Sequence, residues 1–347
     1  MFFRITIFFA HVLFLTTLHA QEVQEKYDFQ EYIDTKQKNI SQDVNTLFNY
    51  IDKSLGGMFS DSLSDSTCND LEDRLDKAFY SGNENAIDEF FQNEKFLNET
   101  NKTFIRLRLS TLLQSKESTR YNYKIRAHIP LSRTKKNFNL FIDNIKDSYI
   151  DETNPEDDIE NLPDIGVNYF SPEYHGIKSR YSIGTSGLNL YARARYSKVF
   201  NTGKWTIEPI QEFKFSIKDD WRETSIVYFD RKLKDTSMLR FGLRRQSQSH
   251  IDGMDYSLSS TYYHTIKGKS GLSLSQSFSG NTKYKVDEYD TPYSGINDYS
   301  TTLNWRKSVW RKWFSYEVQP GVSFHRQYDY KANYMIRLNL DFYFGNI

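Results

Sequence analysis

The chain has almost no thiol chemistry, because Cys68 is the only cysteine among its 347 residues. One cysteine excludes an internal disulfide and a metal site built from several thiolates. Long apolar stretches are equally scarce: none after residue 20 approaches a membrane-spanning helix, and the mean hydropathy is −0.69. Hydropathy taken alone would therefore classify the chain as soluble.

The chain also lacks an excess of charge, with 45 Lys and Arg against 45 Asp and Glu. This balance, with a pI near 7.1, gives no global electrostatic case for nucleic acid as a partner. The sequence contains no Walker loop, no Rossmann glycine pattern and no zinc-binding spacing. We therefore expect no cofactor and no metal site.

What the chain does have is a period-two alternation of apolar and polar residues, repeated between about residues 102 and 344. Two clear runs extend from Trp205 to Ile217 and from Tyr334 to Phe344. Successive side chains of a strand point to opposite faces, so each run has one apolar and one polar face. The runs reach about ten residues or more, which is the length that a tilted strand needs to cross a bilayer. A soluble sandwich would have shorter strands and inner faces rich in Val, Ile and Leu.

Aromatic residues are frequent, at 16% of the chain with 25 Tyr and 26 Phe, and they cluster at the ends of the runs. Such clusters are typical of the interfacial belts of membrane proteins. The last run places apolar residues at alternate positions and ends in an aromatic, with Ile336, Leu338, Leu340, Phe342 and Phe344. In these features, residues 102–347 resemble bacterial outer-membrane β-barrel proteins, with a porin-like general pattern.

This resemblance implies a location in the bacterial outer membrane. It also implies outer-membrane lipids, lipopolysaccharide and the barrel assembly machinery as partners. The last strand departs from the usual assembly signal, which stops at the aromatic, because Gly345, Asn346 and Ile347 follow Phe344.

The pattern yields about fourteen strand candidates, an even number as expected for a bacterial single-chain barrel. They lie at residues 103–114, 120–131, 137–147, 165–171, 175–185, 188–199, 204–217, 223–232, 236–247, 254–266, 270–280, 298–309, 313–326 and 333–344. Long connections such as 146–164 and 281–297 alternate with tight turns such as 201–203. Twelve or sixteen strands remain alternatives, because the candidate at 165–171 is short and ends at Pro172. The predicted fold is an all-β transmembrane antiparallel β-barrel with a small N-terminal α-helical segment.

The first twenty residues are predicted to be a signal peptide. Arg4 precedes an apolar stretch, and Leu18-His19-Ala20 forms a cleavage site before the mature chain. Because the apolar stretch is short for a spanning helix, an uncleaved anchor is the less favoured alternative.

Residues 21–101 are predicted to be a helical periplasmic segment. A helix over 44–59 is predicted by the helical spacing of Val44, Leu47, Phe48, Ile51 and Leu55. The same kind of spacing predicts helices at 69–80 and 87–91. Their apolar stripes are too narrow to form an independent core. The segment is therefore predicted to pack against the barrel mouth as a plug or against a periplasmic partner, and the alternative is a flexible periplasmic leader.

The polar faces of the strands are predicted to line the barrel lumen, and basic residues outnumber acidic ones there. The lumen candidates are Arg106, Arg108, Lys124, Arg126, Lys178, Arg180, Arg193, Arg195, Glu208, Glu212, Arg240, Arg244, Arg306, Glu317, Arg337 and Asp341. Near the midplane, a lipid-facing charge would cost about 2–4 kcal/mol, so this segregation itself favours a barrel. A basic lumen favours small anionic solutes. The same charges could instead pair between strands and fill a narrow lumen.

Two functions remain open at this stage. The first is a pore for small polar or anionic solutes. The second is a non-conducting outer-membrane anchor or scaffold with acidic, tyrosine-rich extracellular loops, since the 147–164 connection is acidic and the 281–297 connection carries tyrosines. An acidic loop could also bind divalent ions, but it lacks the EF-hand spacing.

An enzyme is not expected, because the sequence lacks the His-x-Ser pair of outer-membrane phospholipases. His264 and Ser260 share a strand face but lie about 13 Å apart at strand rise, too far for a proton relay. His128 and His325 are predicted to be isolated lumen residues.

Overall fold

The computed structural model describes residues 23–58, 86–91, 104–131, 138–143, 163–218, 220–249, 252–266, 269–285, 292–309 and 313–345. Within them are helices α1 (Val23–Met58) and α2 (Ala86–Phe91), a 3₁₀ turn (Arg326–Tyr328) and fifteen strands. The strands are β1 (Phe104–Gln114), β2 (Arg120–Leu131), β3 (Phe138–Asp143), β4 (Asp164–Tyr174), β5 (Ile177–Ser186), β6 (Asn189–Lys198), β7 (Phe200–Thr202), β8 (Trp205–Ser216), β9 (Asp220–Lys234), β10 (Ser237–Gln248), β11 (Asp255–Ile266), β12 (Ser270–Lys285), β13 (Pro292–Ser308), β14 (Phe314–His325) and β15 (Asn333–Gly345).

The sheet closes on itself. The first strand, β1, pairs antiparallel with the last, β15, from Phe104 opposite Gly345 to Gln114 opposite Met335. Strands β6 and β7 pair with β8 in one unbroken register, so together they occupy one strand position of the barrel. The fifteen strands therefore build a closed antiparallel barrel with fourteen strand positions. Closure satisfies the backbone hydrogen bonds of every strand edge, which a bilayer requires. The predicted fold class is confirmed, with fourteen strands rather than twelve or sixteen.

Each of the fourteen predicted strands has its counterpart in the barrel. The doubtful candidate at 165–171 is β4, which continues past Pro172 to Tyr174. The register between β4 and β5 shifts between Ser171 and Tyr174, so the proline lies in an irregularity where no ladder hydrogen bond is required.

The predicted 281–297 connection is wrong at both ends. Strands β12 and β13 extend to Lys285 and from Pro292, and they still pair there, with Tyr284 opposite Tyr293. Two register shifts in this hairpin interrupt the alternation, which hides the extension from a period-two pattern.

The alternation sorts the side chains into an apolar outside and a polar inside. In β15, Tyr334, Ile336 and Leu340 are exposed, whereas the intervening Arg337 and Asp341 are buried. The outward faces of the other strands likewise expose Phe213, Phe215, Leu243, Leu274 and Leu303. An outward apolar band around a closed barrel fits the hydrocarbon layer of a membrane. The barrel is therefore of the outer-membrane type.

The N-terminal helices differ in extent from the prediction. Helix α1 begins at Val23, well before the expected 44–59, and α2 matches the short helix expected at 87–91. No helix in the described ranges combines the length and hydropathy needed to cross a membrane. The expected signal peptide, the expected helix at 69–80, Cys68 and almost all of the acidic 147–164 connection lie outside the described residues.

Candidate functional site

The barrel interior carries the charged residues that the sequence assigned to a lumen. Strand register and alternating burial place all sixteen on the inward face. Twelve of them are buried: Arg106, Arg108, Arg126, Arg180, Arg193, Glu208, Glu212, Arg240, Arg306, Glu317, Arg337 and Asp341. Lys124, Lys178, Arg195 and Arg244 are half-buried.

One part of the interior, on β1 and β13–β15, is a compact ion-pair network. The Asp341 carboxylate accepts hydrogen bonds from Arg106 Nε (3.1 Å), Arg108 Nε (2.8 Å) and Arg306 Nη1 (3.2 Å). Glu317 binds Arg306 and also accepts from Arg108 Nη2 (3.3 Å). Three guanidinium groups thus surround two carboxylates, which leaves one net positive charge in this network. This part of the interior matches the expectation that charges pair and fill space.

A second part, on β2, β5, β6 and β8, keeps a denser positive charge, and we call it the basic wall. It consists of Arg126, Arg180, Arg193, Arg195 and Lys214. Strand pairing sets Arg180 directly opposite Arg195, and Arg193 opposite Lys214. Like charges in such positions are destabilising unless other groups compensate them.

Carboxylates offset part of the basic wall. Asp143 pairs with Arg126 at 2.6 Å, Glu212 with Arg195 at 3.5 Å, and Asp164 with Lys214 at 3.9 Å. Five basic groups therefore face three acidic ones, so the wall retains a positive potential toward the lumen.

A ladder of uncharged polar side chains crosses the strands beside the basic wall. His128 Nε2 lies 3.0 Å from Asn139 Nδ2, Asn168 Nδ2 donates to Asn139 Oδ1 (2.9 Å), and Ser182 Oγ donates to Asn168 Oδ1 (2.6 Å). The prediction that His128 is isolated is wrong. His325 is not isolated either, because its Nδ1 accepts a hydrogen bond from Gln327 N at the 3₁₀ turn.

The opposite side of the interior is lined by small hydroxyl side chains, and we call it the hydroxyl wall. Its buried members on β11–β13 are Ser257, Ser259, Thr261, Ser273, Ser275, Ser277 and Ser300. Thr261 and Ser275 lie 2.9 Å apart, and Ser277 and Ser300 lie 2.7 Å apart. Charge alone does not reveal this surface in the sequence. The signal was the Ser-x-Ser alternation of β11 and β12.

Helix α2 lies inside the barrel, close to the end where the chain enters β1 and leaves β15. Ile87 and Phe91 are buried in a cluster with barrel residues Ile210, Ile226, Tyr228, Met238 and Tyr263. The Phe91 and Tyr263 rings are 5.0 Å apart. On the same helix, Asp88 Oδ2 accepts a hydrogen bond from Arg240 Nη2 at 2.8 Å. The helix is thus held by both apolar packing and an ion pair.

Helix α1 contacts the barrel at the same end. Gln37 Nε2 donates to the Tyr343 carbonyl oxygen, and Gly345 N donates to Ser41 Oγ, both at 3.3 Å. The predicted apolar stripe included Leu47, which is 54% exposed, whereas Ser41, Phe48 and Asp52 are buried. That stripe is wrong in part, because polar contacts with the rim, rather than apolar area alone, decide which face turns inward.

The inward face of α1 can be tested by cysteine labelling in a Cys68→Ser background. Phe48 is 6% exposed and Tyr50 is 70% exposed on the same turn of the helix. We expect Tyr50→Cys to react rapidly with a polar maleimide in opened cells, and Phe48→Cys to react far more slowly. Heat-denatured samples, in which both cysteines should label, control for intrinsic reactivity. Equal labelling rates in the folded protein would contradict this packing.

Solved structures with a distant likeness to this chain include outer-membrane proteins. No family model matches the sequence, and no curated protein matches it. The anion-selective porin from Comamonas acidovorans superposes with a TM-score of 0.45 and 8% identity, covering 70% of this chain and 99% of that one. OmpT of Vibrio cholerae gives a TM-score of 0.45 and 8% identity, with 70% and 97% covered. The KdgM porin gives 0.34 and 9%, with 68% and 98% covered. At this level of similarity, neither a solute nor the role of a residue can be carried over from these proteins to this chain.

Proposed function

We propose that the chain forms an outer-membrane pore for small polar, preferentially anionic, solutes. The observation that carries the proposal is the asymmetric interior, with the basic wall on one side and the hydroxyl wall on the other. Barrels of eight strands are filled by their own side chains, whereas those of sixteen to eighteen leave an aqueous channel. A fourteen-stranded barrel with small side chains along its hydroxyl wall is closer to the barrels that leave an aqueous channel. Solutes would pass between a positive surface and a neutral hydrogen-bonding one.

We further propose that the N-terminal segment, 21–101, narrows this pore from the periplasmic end as a partial plug. Its support is the position of α2 inside the barrel and of α1 at the rim beside Tyr343 and Gly345. Bacterial barrels keep both chain termini in the periplasm, which assigns this end to the periplasmic side. The outward apolar alternation of β15, which ends in Phe342 and Phe344, supports recognition by the barrel assembly machinery during insertion.

A non-conducting scaffold is the second candidate. The ion-pair network of Asp341 and Glu317 favours this function, because three arginines pair with these carboxylates and fill one side of the interior. Conductance across a planar bilayer separates the two functions, since a scaffold would stay closed under every condition.

Ion selectivity tests the role of the basic wall. Under a KCl gradient, we expect the reversal potential of the purified full chain to indicate preference for chloride. The double variant Arg193→Gln/Arg195→Gln should shift that potential toward the non-selective value, because it removes two positive charges from the lumen. Arg245→Gln is the matched control: Arg245 lies on the outward face, is exposed and pairs with Glu223 at 2.7 Å. Cation preference in the unaltered protein, or equal shifts in both variants, would refute the anion pore.

A further inference from the structure

We propose that Arg240, Tyr228 and Tyr263 form a binding subsite for a small monocarboxylate with an apolar body. In the structure, the Asp88 carboxylate of α2 occupies this subsite as an internal stand-in. The inference rests on the proposed function, in which the barrel is a pore and α2 is part of its plug. It adds a ligand class and a specific place on the barrel wall.

The Arg240 guanidinium is positioned by the barrel itself. It is 1% exposed, and its Nε and Nη2 atoms donate to Asp230 Oδ1 (2.6 Å) and Oδ2 (2.8 Å) on the neighbouring strand β9. The Tyr228 and Tyr263 rings flank it, with their centroids 5.4 and 5.9 Å from its central carbon. A bidentate carboxylate and two aromatic rings fix the orientation of a planar guanidinium. None of these partners belongs to α2, so the group would stay oriented without the helix.

Asp88 engages only some of the hydrogen-bond donors of the Arg240 guanidinium. A single contact joins Asp88 Oδ2 to Nη2, while the buried Nη1 has no hydrogen-bond partner in the described portion of the chain. A guanidinium binds a carboxylate best through two parallel N–H donors. A carboxylate that is not tethered to a helix can approach Nη1 and Nη2 together. The spare donor therefore points to a ligand other than Asp88.

The surroundings of Asp88 define the rest of the ligand. Ile87 and Phe91 fill an apolar depression formed by Ile210, Ile226 and Met238. A solute that replaces α2 must cover this same surface, so an aromatic or branched apolar group next to the carboxylate is required.

The number of charges on the ligand is limited as well. Asp230 already pairs with Arg240, and the buried Glu208 lies on β8 directly opposite Tyr228. A second negative charge would be placed beside these carboxylates in a buried setting, at a high electrostatic cost. The subsite therefore accepts a monocarboxylate and disfavours a dicarboxylate.

The test compares phenylacetate with its neutral analogue phenylacetamide, using the full chain in detergent and calorimetric titration. In the unaltered protein, α2 competes with phenylacetate and lowers its apparent affinity by the fraction of molecules with a vacant subsite. We expect Asp88→Ala to strengthen phenylacetate binding by about tenfold or more and to leave phenylacetamide binding weak. Arg240→Gln in the same background should abolish the gain.

Because Arg240→Gln leaves Asp230 without its main partner, a second variant keeps all charges in place. A Cβ at Gly271 would lie 2.6 Å from Phe90 Cε1 and 2.8 Å from Phe91 Cζ. Gly271→Val should therefore displace α2 by steric conflict and strengthen phenylacetate binding as Asp88→Ala does.

The outcomes separate the subsite from the pore. If both variants raise conductance but bind phenylacetate no better than phenylacetamide, the carboxylate subsite is refuted and the pore proposal stands. If neither variant changes conductance while phenylacetate binding improves, the plug proposal fails and the subsite stands. If neither conductance nor phenylacetate binding changes, the subsite is refuted together with the plug.

Discussion

Replacing Leu338 with arginine is expected to abolish assembly of the barrel. Leu338 lies near the middle of β15 on the outward, apolar face, with Thr111 and Val318 opposite on the neighbouring strands. An arginine at the lipid-facing midplane costs about 2–4 kcal/mol, and this strand also closes the barrel. Loss of heat-modifiable gel migration and of protease resistance in isolated membranes would show the failure.

The matched control is Arg337→Leu, one residue away on the inward face, which should still give an inserted, protease-resistant barrel. Phe215→Arg and Lys214→Leu repeat the comparison on β8, on another side of the barrel. The face assignment would be wrong if the outward and inward substitutions were tolerated equally at both places.

Deleting residues 21–95, with residues 1–20 left in place, is expected to open the pore. The deletion removes α1 from the rim and α2 from the interior, while β1 and all its strand pairings remain. The barrel should still assemble, because its ladder of backbone hydrogen bonds does not involve either helix. We expect a several-fold rise in single-channel conductance and faster uptake of a large hydrophilic antibiotic by whole cells.

The control for this experiment is the barrel's own integrity, measured by heat-modifiable migration and by the reversal potential. An open pore should retain the preference for chloride, because the basic wall is untouched. Unchanged conductance in a correctly assembled barrel would show that the N-terminal segment does not restrict the pore.

The strands could be predicted from sequence because a barrel wall separates two environments along every strand. In β2, the outward Tyr121, Tyr123 and Ile125 alternate with the inward Lys124 and Arg126. The polarity of each side chain therefore indicates which face of the strand it lies on. The signal is interrupted where the register shifts, as in the β12–β13 hairpin. Local alternation is therefore sufficient for the fold.

The interior contacts could not be predicted in the same way. Asp88 and Arg240 are 152 residues apart, and Gln37 contacts the backbone of Tyr343, 306 residues away. Nothing local marks either partner, because pairing depends on which strands and helices become neighbours. The alternation of β10 predicts an inward Arg240, but its carboxylate partners are a property of the closed barrel.

The seam between β1 and β15 has a consequence for the order of folding. Arg106 and Arg108 of β1 bind Asp341 of β15, and these partners are 235 and 233 residues apart. The ring cannot be completed until the last strand has been synthesised and has reached the first, and contacts of such long range form slowly. The buried ion pairs then appear in the final step, since burying either charge alone would be costly. A barrel halted before closure would keep an open strand edge and lack the ion pairs of Asp341, so a partly closed barrel is disfavoured.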